Sequence, residues 1–102
     1  MEGFKAPELK VFTMPTCSSC PSAKQIAIEV AKKFGLPYRE VNMNTQEGLA
    51  EGLAHQIMSV PSVVLGDEVI VVGRLLSREK LEEEVRKRLE NWRARASSET
   101  KR

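Results

Sequence analysis

Short apolar runs alternate along this chain with longer stretches whose apolar residues recur at helical spacing. The run LKVFTM (9–14) is compact, partly β-branched and ends at Pro15, the pattern of a buried strand. Ala23, Ile26, Ala27, Val30, Ala31 and Phe34 then repeat every three or four positions and define one face of a helix, with Gly35 and Pro37 as its stop. YREVNM (38–43) predicts a second strand. Leu49, Ala50, Leu53, Ala54 and Ile57 predict the inward face of a second helix, capped by Thr45. Within that helix Gly48 and Gly52 each cost about 1 kcal/mol against alanine, so it is expected to be the least stable one. SVVL (62–65), the turn Gly66-Asp67 and VIVVG (69–73) predict a hairpin. Ser77 is placed to cap a last helix, with Leu81, Val85 and Leu89 turned inward and Trp92 packing its end onto the domain.

The predicted order is β-α-β-α-β-β-α. A right-handed βαβ crossover makes the first two strands parallel, and the hairpin adds an antiparallel pair. The fold class is therefore α/β: a four-stranded mixed sheet with helices on both faces.

Composition narrows the setting more than the fold. A chain of 102 residues, 41% hydrophobic and 29% charged, can bury a core as one domain without metals or disulfides. We expect an N-terminal extension over 1–7, a domain over 8–92 and a basic tail over 93–102. No apolar run approaches the roughly 18 residues of a membrane span, and MEGFKAPELK has no apolar signal-like core, so a cytoplasmic location and no membrane association are expected. The net charge of +2 hides an asymmetry, because residues 86–102 carry seven Lys/Arg against two Glu. Such a tail can meet nucleic acid or an anionic surface. A solvated last helical turn is the simpler account, and no nucleic-acid partner is expected.

The chemistry sits in FTMPTCSSCPSAKQIA (12–27), which holds the only two cysteines, Cys17 and Cys20, where strand gives way to helix. As a structural staple, so short a disulfide loop is worth only about 2 kcal/mol, and a reducing cytosol would open it. Zinc within one chain needs four ligands; beyond this pair it would need His55 plus a carboxylate, and His55 sits on an apolar-striped helix where a surface or packing role is expected. Metal shared between two chains is the competing reading. A redox pair suits the spacing better. The junction is expected to set Cys17 at the helix N-terminus, where free N–H groups and the helix dipole stabilise a thiolate. Lowering a thiol pKa from about 8.5 to about 7 raises the ionised fraction at pH 7 from about 3% to half, for only about 2 kcal/mol. Cys20, one turn on and inward, would keep the higher pKa.

With C-x-x-C after the first strand, SVPS opening the third and VVGRLLSREKLEEEV closing the domain, residues 8–90 resemble the thioredoxin/glutaredoxin family. TMPTCSSCPSAK and IMSVPSVVLGDEVIVVG look most like glutaredoxin-like units of archaeal-type protein disulfide oxidoreductases. The resemblance implies a thioredoxin-like fold and a dithiol–disulfide oxidoreductase, with Cys17 as nucleophile and Cys20 as resolving cysteine. It implies that Pro61 is the family's cis-proline and that the backbone of Val60 pairs with the substrate chain. Thr16, Ser18 and Ser19 would shape the site, and Met14, Met58 and Val60 would form an apolar rim for a protein substrate. Disulfide-containing proteins are the implied substrates, recycled by a reductase or a low-molecular-weight thiol, with the chain acting as a monomer. No cofactor of its own is implied, since any flavin would belong to the partner.

Some positions depart from the family. Val11 and Thr16 stand where thioredoxins carry a buried Asp and a Trp, so that buried proton relay is absent; Met14 stands where glutaredoxins often have Lys. Gly73-Arg74 replaces the glutaredoxin Gly-Gly, which argues against glutathione binding. Lys10, Lys24 and Arg74 are candidate cationic helpers. The alternative function is a dimeric metal or iron–sulfur module built on the same cysteines.

Overall fold

A strand whose every residue is buried must be covered on both faces and hydrogen-bonded on both edges, and Leu9–Thr13 meets that condition. The computed structural model describes residues 7–100, with side chains from 7 to 92. It contains β1 (Leu9–Thr13), α1 (Cys20–Phe34), β2 (Tyr38–Asn42), α2 (Gln46–Ala54), β3 (Ser62–Leu65), β4 (Glu68–Val72) and α3 (Arg78–Thr100). The sheet order is β2-β1-β3-β4. β1 runs parallel to β2 and antiparallel to β3, and β3 pairs antiparallel with β4 through an irregularity at Val63/Val64. This is the α/β architecture expected, a four-stranded mixed sheet with helices on both faces.

Alternation along β1 splits the core in two. Leu9 and Val11 pack with Ala23, Ala27, Val30 and Ala31 of α1 and with Leu81, Val85 and Leu89 of α3. Phe12 faces the other way, joining Val41, Met43, Ile57 and Val64 on the side of α2. Gly35 ends α1 at φ 67°, a left-handed conformation that favours glycine, and the Leu36 N–H closes the turn onto the Ala31 carbonyl at 2.8 Å. Ser77 Oγ accepts the Lys80 N–H at 3.1 Å and caps α3. At the other end of the described side chains Trp92 lies over the hairpin turn, lining a small crevice with Pro7 and Leu65. The extension over 1–7 and the tail over 93–102 fall outside the described residues, apart from Pro7 and the α3 backbone.

One expectation is overturned. The leucine face of α2 points outward: Leu49 is 46% and Leu53 50% exposed, and Ala50 and Ala54 are exposed with them. The buried residues of α2 are Gly48 and Gly52. A Cβ on Gly48 would overlap the Asn42 carbonyl oxygen, and one on Gly52 would press on the Met43 side chain at 2.7 Å. The glycines therefore let the helix backbone lie directly on β2, and the sheet decides which face is inward. Ile57 is buried as expected, but beyond the helix end. Thr45 caps the helix as expected, its Oγ1 accepting the Gly48 N–H at 2.9 Å.

Polar groups fasten α2 as well. Glu51 accepts hydrogen bonds from Arg39 at 2.7 Å and from Lys10 at 2.9 Å, and Arg39 also reaches Glu8 at 3.1 Å. His55, just past the helix, stands edge-on to Phe12 with ring centroids 6.0 Å apart, a packing role. The Arg39 hydrogen bond, with Lys10 adding to it, holds the Glu51 carboxyl down at about 2, against its ordinary 4.5.

Two predictions follow from this packing. Gly48→Ala should lose about 1–3 kcal/mol in urea unfolding despite its gain in helix propensity, while Leu53→Ala should stay within about 0.5 kcal/mol. Because the folded pKa of Glu51 is depressed, its contribution is complete above about 4.5 and is lost as pH falls toward 2. Glu51→Gln should flatten the stability–pH curve in that window, as read from melting temperatures.

Candidate active site

The C-terminal ends of the parallel strands β1 and β2 lie at one end of the sheet. The start of β3 joins them there, because Ser62 pairs with Phe12. From this end the chain leaves β1 through Met14-Pro15-Thr16-Cys17, and the Cys17 N–H closes a turn onto the Met14 carbonyl at 3.1 Å. Helix α1 begins only at Cys20, with Ser19 as its N-cap residue and Pro21 in its first turn. Proline fits there because its missing N–H would have had no partner in the helix.

This corrects the placement of the cysteines. Cys20, rather than Cys17, occupies the helix start, and Cys17 stands on the turn before it. The two are joined as a disulfide with Cα atoms 5.4 Å apart, within the ordinary span for such a bond. Their exposures differ: Cys20 is only 3% exposed and Cys17 is half-buried. Thr16 and Ser18 are exposed beside them, and Ser19 is half-buried.

A cleft of about 300 Å³ opens beside the disulfide. Thr13, Met14, Pro15, Pro21, Lys24, Glu40 and Asn42 line it together with both cysteines. Buried Thr13 donates its hydroxyl to Glu40 at 2.8 Å, and Lys24 Nζ approaches the other oxygen of Glu40 at 3.4 Å. Of the candidate cationic helpers, only Lys24 borders this cleft; Lys10 is committed to Glu51, and Arg74 is exposed after β4.

Val60 and Pro61 enter β3 at the same end of the sheet. Their peptide bond is cis, Pro61 is buried and Val60 half-buried. The segment is held by Ser62, whose hydroxyl donates to the Ser59 carbonyl at 2.6 Å and accepts the Gly73 N–H at 3.2 Å.

The chain matches the thioredoxin domain model over residues 7–86. It belongs to the thioredoxin family. A probable thioredoxin of Archaeoglobus fulgidus is 40% identical over 65 residues, 64% of this chain and 71% of that protein. A thioredoxin of Methanocaldococcus jannaschii is 32% identical over 82 residues, 80% of this chain and 95% of that one. Among solved structures, thioredoxin 1 of Thermosipho africanus superposes with a TM-score of 0.67 at 18% identity, over 84% of this chain and 98% of that one, which supports the fold.

This thioredoxin-family chain is a protein disulfide oxidoreductase. The matches carry the thioredoxin side of the sequence resemblance and not its glutaredoxin specifics. The same matches lend no support to the metal-module alternative. No helix among the described residues is long and apolar enough to cross a membrane.

Sequence reasoning missed Thr13, Glu40 and Asn42. The signal for the last two was the alternation of YREVN, which sends Tyr38, Glu40 and Asn42 to one face of β2 while Val41 takes the other. The unequal burial of the sulfurs predicts that, after reduction, iodoacetamide modifies Cys17 at least about tenfold faster than Cys20. Peptide mass mapping should show this difference vanish in denaturant.

Proposed function

We propose that this thioredoxin-family protein reduces disulfides in other proteins, with Cys17 as the attacking thiolate and Cys20 as the resolving thiol. The unequal burial of two cysteines at one cleft carries this reading. A substrate sulfur can reach only the outer cysteine first, and the inner one is already within bonding reach of it. Attack by Cys17 breaks the substrate disulfide and forms a mixed disulfide. Cys20 then attacks Cys17 Sγ, releases the second substrate sulfur as a thiolate and closes the Cys17–Cys20 bond. Two electrons pass from the dithiol to the substrate.

Val60 and Pro61, at the same end of the sheet, offer backbone to an extended substrate segment. Thr16, Ser18 and Ser19 border the approach, and exposed Met14 and Met58 give it an adaptable apolar rim. The oxidised protein is reset by a reductase or a low-molecular-weight thiol. It acts as a monomer in the cytoplasm, where a reducing pool keeps such pairs cycling.

Intact mass across glutathione and dithiothreitol redox buffers, with free thiols alkylated, tests this reading. One reversible two-electron step with a midpoint at or below about −250 mV is expected, lost in Cys17→Ser. Cys20→Ser should accumulate a mixed disulfide with a substrate protein. A midpoint near about −150 mV would make the protein an oxidant instead, and the absence of any two-electron step would reject the dithiol mechanism.

A further inference from the structure

Burial that lets Cys20 resolve the mixed disulfide also opposes the ionisation this step requires, because a thiolate out of water is disfavoured. The cleft contains a remedy. Among the described residues, the charged side chains lining it are Lys24 and Glu40. Lys24 stands four residues after Cys20 on α1, a spacing that sets both side chains on one helix face with Cβ atoms about 5–6 Å apart. Glu40 reaches in from β2.

The two hydrogen bonds of Glu40 are unequal. Buried Thr13 fixes one oxygen at 2.8 Å, while Lys24 holds the other at 3.4 Å, long for a charge-assisted bond. The side chains of Lys24 and Glu40 are 38% and 39% exposed, so the ammonium keeps room to move. The carboxylate is the docked partner and the ammonium the loose one.

We propose that Lys24 is the counter-cation of the Cys20 thiolate during resolution. Glu40, anchored on Thr13, acts through Lys24 by competing for its ammonium until that thiolate forms. This rests on the reading of Cys17 as attacking and Cys20 as resolving cysteine. In the step, the Cys20 proton passes to solvent and the thiolate attacks Cys17 Sγ. The Cys17–Cys20 bond forms as the bond from Cys17 to the substrate sulfur breaks, and the substrate leaves as a thiolate. A negative sulfur is present before and after, so one mobile ammonium serves both sides of the step.

Stopped-flow reaction with an aromatic nitrothiobenzoate disulfide tests the proposal, because attack and resolution each release one coloured thiolate. Lys24→Met should slow the second phase about tenfold at pH 7 and displace its pH profile about one unit to the alkaline side. The second phase should be slowed at least about fivefold more than the first, which is the internal reference for loss of a cation near an anionic probe. Lys24→Arg should restore the second phase. Glu40→Gln should accelerate the second phase and move its profile to the acid side, and the double variant should behave as Lys24→Met, since Glu40 acts only through Lys24. Second-phase profiles unmoved in both single variants would overturn the proposal. So would a Glu40→Gln variant slowed like Lys24→Met, which would make Glu40 a base. The underlying reading fails separately: Cys20→Ser would then lack the first phase or still release two equivalents.

Discussion

A strand hydrogen-bonded on both edges and packed on both faces has little freedom in where it ends, and the whole site hangs from the end of β1. Its C-terminal residue, Thr13, lies opposite Asn42, and its other neighbour β3 starts level with Phe12. The turn that follows, the cleft floor and the Val60–Pro61 segment are consequently gathered at one end of the sheet without a separate device to bring them together. Asymmetry between the sulfurs has the same origin. The chain must make a tight turn before α1 can start on the α1/α3 face, so one cysteine is left on the turn and the other is carried into the first helical turn.

How much of this was legible depended on whether an element's orientation is written in its side chains. β1, β3, α1 and the described part of α3 bury conventional apolar faces, and the alternation and helical spacing of those residues located them and their inward sides. For α2 the same reasoning failed, because that helix approaches the sheet through residues with no side chain. A pattern built from apolar positions ranks glycine as neutral, and the steric fit at Asn42 and Met43 is a property of two segments together. The cysteines were found by spacing and junction, yet their positions relative to the helix start were off by three residues. A helix begins where its hydrogen bonding can begin, and here the Met14–Cys17 turn and Pro21 set that point. Glu40 was missed because a charged residue on a strand reads as solvated, and only the buried hydroxyl of Thr13 shows otherwise.

Two carboxylates on neighbouring parts of the fold show how context divides similar side chains. Glu51 is gripped by Arg39 and Lys10 together, and serves to clamp α2 to the sheet from outside the core. Glu40 has a neutral anchor and a single distant cation beside the disulfide. The first arrangement resists rearrangement; the second leaves a charge able to change partners. Placing the flexible pair on the face that carries the chemistry and the rigid clamp on the opposite face of the sheet keeps fold stability and reactivity on separate groups.

The glycine seat of α2 has an evolutionary corollary. Most elements must conserve the bulk and shape of the residues they bury, which ties their outward sequence to their inward one through helical phase. A helix seated through Gly48 and Gly52 and clamped through Glu51 leaves its leucine face free of the sheet, so those outer positions are open to drift. Leu49 and Leu53 could be exchanged for charged, polar or bulky groups while the backbone stays in its bed. Lineages sharing this scaffold would then show two invariant glycines beneath a surface that diverges freely, and that surface is where one copy of the fold can come to be distinguished from another.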